Sequence, residues 1–233
     1  MREKIFSMDT PFFRIMSKIG DFMLLNLMWL ICSLPVITIG ASTTALIYTG
    51  MHLAKGRDGY VISKFWKSFR QNFAQSTIIY LILAAVGAAL GYSAWYWINR
   101  EGGFAIALVV ITGGLLVFYL IEVLFVFAVQ AKFYNTIGNT MKNALIMGIQ
   151  NFPITVLCLV GWGLLFGLNY MFPVANVLTL VVGVGAYGWV LGMFYNVAFR
   201  KYLPIREKAE EEIESEPMKE KTEEESEGKL IHH

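Results

Sequence analysis

Glu122 is the residue of this chain best placed to do chemistry. It is the one acid well inside a long apolar run, residues 104–129. An ionised carboxylate in lipid is costly unless it faces a protein interior or a wet cavity. Glu122 therefore reads either as a proton or ligand site, or as a glutamate hydrogen-bonded to a neighbouring helix. A third reading has it reaching for the interface about two helical turns away. Asn26, Thr38, Ser42, Thr43 and Thr44 form a second polar group in another apolar stretch. Small and hydroxyl side chains let membrane helices approach closely and hydrogen-bond, so this seam reads as packing or as a polar substrate path. Glu122, Asn26, Thr43 and Thr44 are the candidate intramembrane polar site. Cys32 and Cys158 lie in apolar runs without metal-ligand or redox spacing, and His52 has no ligand partner nearby in sequence. The chain carries no zincin H-E-x-x-H, no phosphate-binding loop and no nucleophile elbow. Neither a catalytic residue nor a metal or cofactor is expected, and the protein reads as a non-enzyme.

The elements that must hold these residues are apolar helices. No charge occurs between Asp21 and Lys55. A single helix over that stretch would be about 50 Å long, against a hydrocarbon core of about 30 Å. Pro35 and Gly40 fall in its middle and are read as breakers, which makes the stretch a hairpin turning through residues 35–38. The other apolar runs are shorter, and the fold class is all-α: a polytopic transmembrane helix bundle. Its expected spans are residues 21–35, 38–54, 77–98, 104–129, 154–172 and 177–199. Composition agrees: of 233 residues 56% are hydrophobic and 15% charged, with a mean hydropathy of +0.55, whereas a soluble domain is about 25% charged. Of the 19 Lys and Arg, only Arg100 falls on the far side of a six-span arrangement. The positive-inside rule then places both termini in the cytoplasm.

Amphipathic stretches flank the spans. Residues 1–20 read as an interfacial helix at the amino terminus. Val61, Ile62, Phe65, Trp66, Phe69 and Phe73 recur at helical spacing with Lys64, Lys67 and Arg70 between them, the pattern of a helix in the headgroup layer. Phe133, Ile137, Met141, Leu145 and Ile149 repeat the pattern in residues 130–152. Both connectors end alike, in Gln71-Asn72-Phe73 and Gln150-Asn151-Phe152, through duplication or coincidence. Phe65, Trp66, Phe69, Gln71, Asn72, Phe73, Gln150, Asn151 and Phe152 are the candidate docking residues. Pro173 to Asn176 reads as the last outer turn. Gly87/Gly91, Gly163/Gly167 and Gly188/Gly192 have small-xxx-small spacing, which implies close helix contacts within the bundle or between copies in a homo-oligomer. Trp95, Tyr96, Trp97, Tyr170, Phe172 and Tyr195 at span ends read as an aromatic belt. Residues 207–233 are rich in Glu and Lys and read as a solvated cytoplasmic tail.

The run L-N-x-x-W-x-x-x-x-L-P-x-x-T-x-G, which is Leu25, Asn26, Trp29, Leu34, Pro35, Thr38 and Gly40 here, resembles the signature of the YesL-like (DUF624) family of bacterial membrane proteins. Phe65-Trp66-Lys67-Ser68-Phe69-Arg70-Gln71-Asn72-Phe73 is similar to its second block. The resemblance covers about the first 80 residues, and the later spans agree in hydropathy and order. Members of that family tend to be encoded beside ABC-type carbohydrate importers and polysaccharide-degrading enzymes in Gram-positive bacteria. The resemblance therefore implies an accessory role in oligosaccharide uptake in the cytoplasmic membrane, and it supplies no catalytic residues. The leading expectation is a non-catalytic accessory subunit whose partners are the lipid bilayer and importer permease subunits, not nucleic acid. A small-solute transporter or channel using Glu122, and a membrane sensor signalling through the tail, are the alternatives.

Overall fold

The computed structural model describes residues 11–56 and 60–203. The first ten residues, Arg57-Asp58-Gly59 and the charged tail lie outside the described residues. Every regular element among the described residues is helical: α1 (Pro11–Ser33), α2 (Ile39–Ala54), α3 (Val61–Ile98), α4 (Gly103–Lys132), α5 (Ile137–Gln150), α6 (Phe152–Met171), α7 (Pro173–Leu178) and α8 (Val184–Phe199). Five helical segments are long and apolar enough to cross a membrane: Val36–Ala54, Val61–Ile98, Gly103–Lys132, Phe152–Met171 and Pro173–Tyr202. The first helix falls outside that set, with Lys18 and Asp21 in its first half.

The chain turns between α1 and α2 where a proline removes a backbone donor. Pro35 is extended, and a tight 3-10 turn follows at Val36–Thr38. The buried Thr38 hydroxyl lies 2.6 Å from each of the Cys32 and Pro35 carbonyls, closing the turn. Ser33 and Ser42 join the two helices just inside it, Oγ to Oγ 2.6 Å. Gly40 does not break the helix. It sits in the first turn of α2, where a Cβ would collide with the Ser76 carbonyl and, at 2.6 Å, with Tyr80. It is a packing glycine.

α2 is the hub, buried along most of its length and packed by α1, α3, α4 and α8. It meets α8 backbone to backbone: a Cβ on Gly50 would strike the Gly188 carbonyl, and one on Gly192 would strike Gly50. The other glycine pairs behave differently. Gly91, Gly163 and Gly167 face open space, and Gly87 meets the Tyr119 side chain. The Asn196 amide bridges α8 to the Met51 carbonyl at 2.8 Å.

Two boundaries differ from the expectation. The amphipathic stretch at residue 61 and the third span are one unbroken α3 of 38 residues, about 57 Å long, with no glycine or proline before Gly87. α1, from Pro11 through Gly20 to Ser33, is one helix in which the expected interfacial stretch runs into the first apolar segment. The expected turn at Pro173 to Asn176 is helical: Pro173 occupies the first helical turn, where its missing N–H costs nothing, and the chain breaks at Phe172. A π-helical turn, Thr179–Gly183, then joins α7 to α8.

α5 folds back along the end of α4. Thr140 hydrogen-bonds Gln130, and Gly148 rests against Ile121 and Phe125. Its buried side is Thr140, Ala144, Met147 and Gly148, while Ile149 of the expected apolar stripe is exposed. Phe133, Ile137 and Met141 of that stripe are half-buried against the core. Tyr195, read above as a belt residue, is instead fully buried against Phe125 and Phe199, its hydroxyl donating to the Leu124 carbonyl at 2.6 Å.

Packing is uneven along the bundle axis. We call the end where α2, α4 and α8 finish, with Lys55, Lys132, Arg200 and Lys201, the basic end. Nearly every residue of α4 from 121 to 131 is buried, whereas between 103 and 120 burial is confined to Ala105 and Thr112. On α3 the last buried residue is Leu83, and on α6 burial is confined to Thr155 and Cys158.

Candidate functional site

The seam residues sit at three separate helix crossings. Asn26 of α1, almost fully buried, donates to the Leu180 carbonyl and accepts the Gly185 N–H at 3.3 Å. Asn26 thus bonds one backbone group within the π-helical turn of α7–α8 and one just past it. Thr43 of α2 accepts the Trp29 indole N–H of α1 at 3.3 Å. Thr44 donates to the Gly40 carbonyl of its own helix and lies 2.9 Å from the Ser76 hydroxyl of α3. Such bonds are each worth about 0.6–1.7 kcal/mol between membrane helices, and here they tie α1, α2, α3 and α8 together.

Glu122 lies elsewhere. It is 8% exposed on α4, on the floor of an apolar groove of about 470 Å³ walled by Leu83, Val86 and Leu90 of α3 and by Met141, Lys142 and Leu145 of α5. Its Oε1 is buried without a hydrogen-bond partner among the described residues. Asn26, Thr43 and Thr44 do not line this groove.

Toward the basic end, on the same faces of α3 and α4, lies a second groove of about 480 Å³. Six side-chain carboxamides line it: Gln71, Asn72 and Gln75 of α3, Gln130 of α4, Asn135 of the link to α5, and Asn139 of α5. Buried Gln130 fixes the back wall, donating to Asn72 Oδ1 at 3.0 Å and accepting the Thr140 hydroxyl at 3.3 Å. Asn72 in turn donates to the Ser68 carbonyl at 3.0 Å, and Gln75 donates to the Asn135 carbonyl at 2.7 Å. Tyr134 stands at the rim, 92% exposed.

The docking residues divide. Phe65 is fully buried, with Phe69 stacked on it at 6.2 Å. Trp66 is exposed under the Arg70 guanidinium, 5.3 Å from its ring, and Gln71 and Phe73 are also exposed. Asn151 is buried at the break between α5 and α6, donating to the Met147 carbonyl at 2.7 Å. Gln150 accepts the Tyr202 hydroxyl at 2.5 Å, and Phe152 points outward. The two Gln-Asn-Phe runs thus differ in structure, since Asn72 lies inside continuous helix and Asn151 at a helix junction.

Sequence reasoning reached Gln71 and Asn72 but not Gln75, Gln130, Asn135 and Asn139. The available signal was spacing, as Gln71/Gln75 and Asn135/Asn139 are each four apart, together with an uncharged polar residue, Gln130, closing the most apolar helix.

Long apolar helices gathered around a buried α2 define a multi-pass integral membrane protein. Residues 22–94 match the family model described as protein of unknown function, DUF624, the family that the run from Leu25 to Gly40 resembles. The match takes in α2 and most of α1 and α3. No curated protein and no solved structure matches the chain.

Proposed function

We propose that the protein is a non-catalytic accessory subunit of an ABC-type oligosaccharide importer in a bacterial cytoplasmic membrane. Six helical segments enter the bilayer, the first two returning to the side they left, and both termini lie in the cytoplasm. One observation carries the reading. The seam's polar groups are spent on helix-to-helix hydrogen bonds, while Trp66, Phe73 and Phe152 are exposed at the basic end. An interior used up in bracing suits a scaffold better than a conduit. Exposed aromatics beside cations suit contact with a partner's cytoplasmic surface. Purification in mild detergent from cells expressing the importer tests this. Co-elution with the permease subunits is expected, and loss of it in a Trp66→Ala/Phe73→Ala/Phe152→Ala variant that still folds. Elution of the wild-type chain alone, while the importer stays assembled, would count decisively against it.

Glu122 supports a second reading, a small-solute transporter or channel. Its unpartnered oxygen in an apolar groove is the feature a proton or cation site needs. Reconstituted vesicles would then show solute flux that falls on Glu122→Gln. A panel of sugars and ions giving no flux disposes of this reading.

A further inference from the structure

The two grooves on the α3–α5 side of α4 lie in line along the bundle axis, the inner one apolar and the one toward the basic end lined by amides, with the fully buried Ile79 of α3 between them. Along α3 their residues share one helical face, Asn72 and Gln75 in the amide groove and Leu83, Val86 and Leu90 in the apolar one, eight positions separating the two sets. Depth orders the two parts. Counting back from Ile98, where α3 ends, a hydrocarbon core of about 30 Å takes about 20 residues and ends near residue 78. Leu83 to Leu90 then lie among acyl chains, and Gln71 to Gln75 lie about 5–10 Å beyond the hydrocarbon, within the headgroup layer. Lys142 lies between, on the α5 wall one helical turn from Asn139.

We propose that the two grooves together hold one phospholipid, lying across the closed contact at Ile79, whose headgroup ends in uncharged hydroxyls, as in phosphatidylglycerol. An acyl chain would lie along Leu83, Val86 and Leu90, the phosphate at Lys142 and the hydroxyls among the carboxamides. The chemistry of the lining selects this class. A carboxamide carries two donors and an accepting oxygen, and a hydroxyl is likewise donor and acceptor. The amide groove has no charged residue in its lining, so an ammonium or carboxylate headgroup would lose hydration there without meeting a counter-charge. Gln130 and Asn72 are held by their mutual bond, so the back wall is preorganised. Among the described residues the side chains of Gln71, Asn135 and Asn139 make no hydrogen bond, leaving donors and acceptors for a ligand. Both grooves fall within the roughly 300–1,000 Å³ of small-molecule sites.

The inference does not rest on the importer reading, and co-elution can fail while it stands. The test is lipid retention by the full-length protein. It is exchanged into nanodiscs of mixed lipids, extracted gently, and its bound lipids are quantified by native mass spectrometry. Phosphatidylglycerol is expected to be retained about tenfold over phosphatidylserine, the discrimination of roughly one good hydrogen-bonding group. Glucosyl diacylglycerol, with hydroxyls but no phosphate, should fall between them. The exposed pair Gln71→Ala/Asn139→Ala should erase the preference for hydroxyls at unchanged melting temperature. Lys142→Gln should weaken both phospholipids and leave the glucosyl lipid unchanged. Equal retention of all three lipids, or indifference to both variants, would overturn the proposal. So would full displacement by soluble glycerophosphoglycerol, which lacks chains, or photo-crosslinks from position 139 that reach a protein segment and never a lipid.

Discussion

The half of the bundle nearest the basic end and the half beyond it are made of the same helices and packed in opposite ways. Near the basic end α2, α4 and α8 meet α3 and α5 through Phe125, Phe65, Tyr195 and Phe199, all essentially without solvent exposure. Beyond Leu83 the α3–α4 pair continues as a two-helix arm, held by a Ser93–Thr112 contact at 3.2 Å, with Ile106, Val110 and Val117 facing outward. The reason is the length of the first hairpin. Gly40 packs against Ser76 and Tyr80, and α2 begins one residue earlier, whereas α3 runs on for 18 residues past Tyr80, about 27 Å. The tip of the hairpin, with Leu34 79% exposed and Val36 and Ile37 also outward, stops well short of the end of the arm. Lipid tails are as apolar as leucine, so uncovered apolar helix carries little penalty in a bilayer. Close backbone approach and satisfied polar groups are what the packed half adds.

The comparison breaks most violently at α2–α8. Gly50→Leu places a side chain against the Gly188 carbonyl and, at 3.2 Å, the Trp189 nitrogen. Backbone cannot yield as a side chain can, so the loss should exceed the roughly 1–3 kcal/mol of ordinary overpacking. Little monodisperse protein should be recovered in mild detergent. Gly113→Leu, which meets open space in the arm, should elute and melt as the parent does. Equal behaviour of the two variants would mean that α2 and α8 do not touch at these glycines.

A second contrast sets two glutamines of one groove against each other. Gln130→Leu removes a buried amide that Asn72 and Thr140 both use, leaving two groups unpaired at a cost of about 1–3 kcal/mol. Gln71→Leu changes an exposed rim residue and should leave the melting temperature within error.

The hairpin was legible in the sequence because charge is absent from Asp21 to Lys55 and Pro35 interrupts the run. The asymmetry was not. An amphipathic stretch followed by an apolar one reads equally well as two helices or one, and only the absence of a breaker before Gly87 favours the single α3 observed. Tyr195 carries the mark of a belt, a tyrosine near a span end, and nothing local reveals that α8 ends inside the packed half. The amide groove was hidden by distance along the chain, since Gln130 bonds Asn72 across 58 positions. Asn26 stood out as an amide in an apolar run, but its partners, Leu180 and Gly185, are backbone groups that no pattern of side chains announces.

That bond gives a third, smaller test. Asn26→Leu should cost about 0.6–1.7 kcal/mol, the range for single polar contacts between membrane helices. It removes the side-chain bonds to the Leu180 carbonyl and the Gly185 N–H, so hydrogen exchange across residues 179–185 should speed up while that of α4 stays unchanged. Uniform exchange in parent and variant would separate Asn26 from the π-helical turn.

The smallest effect is the most discriminating, because it changes one atom. Tyr195→Phe keeps the ring against Phe125 and Phe199 and deletes the hydroxyl that donates to the Leu124 carbonyl at 2.6 Å. That carbonyl lies within α4 and keeps its helical bond, so it loses a second donor and not its first. The cost should sit near about 0.6 kcal/mol, the average for such bonds in a membrane protein. Tyr170→Phe, made where the ring is 92% exposed, should cost nothing measurable. A difference between the two melting temperatures locates Tyr195 in the packed half. Identical curves would return it to the aromatic belt and leave α8 without its deepest anchor.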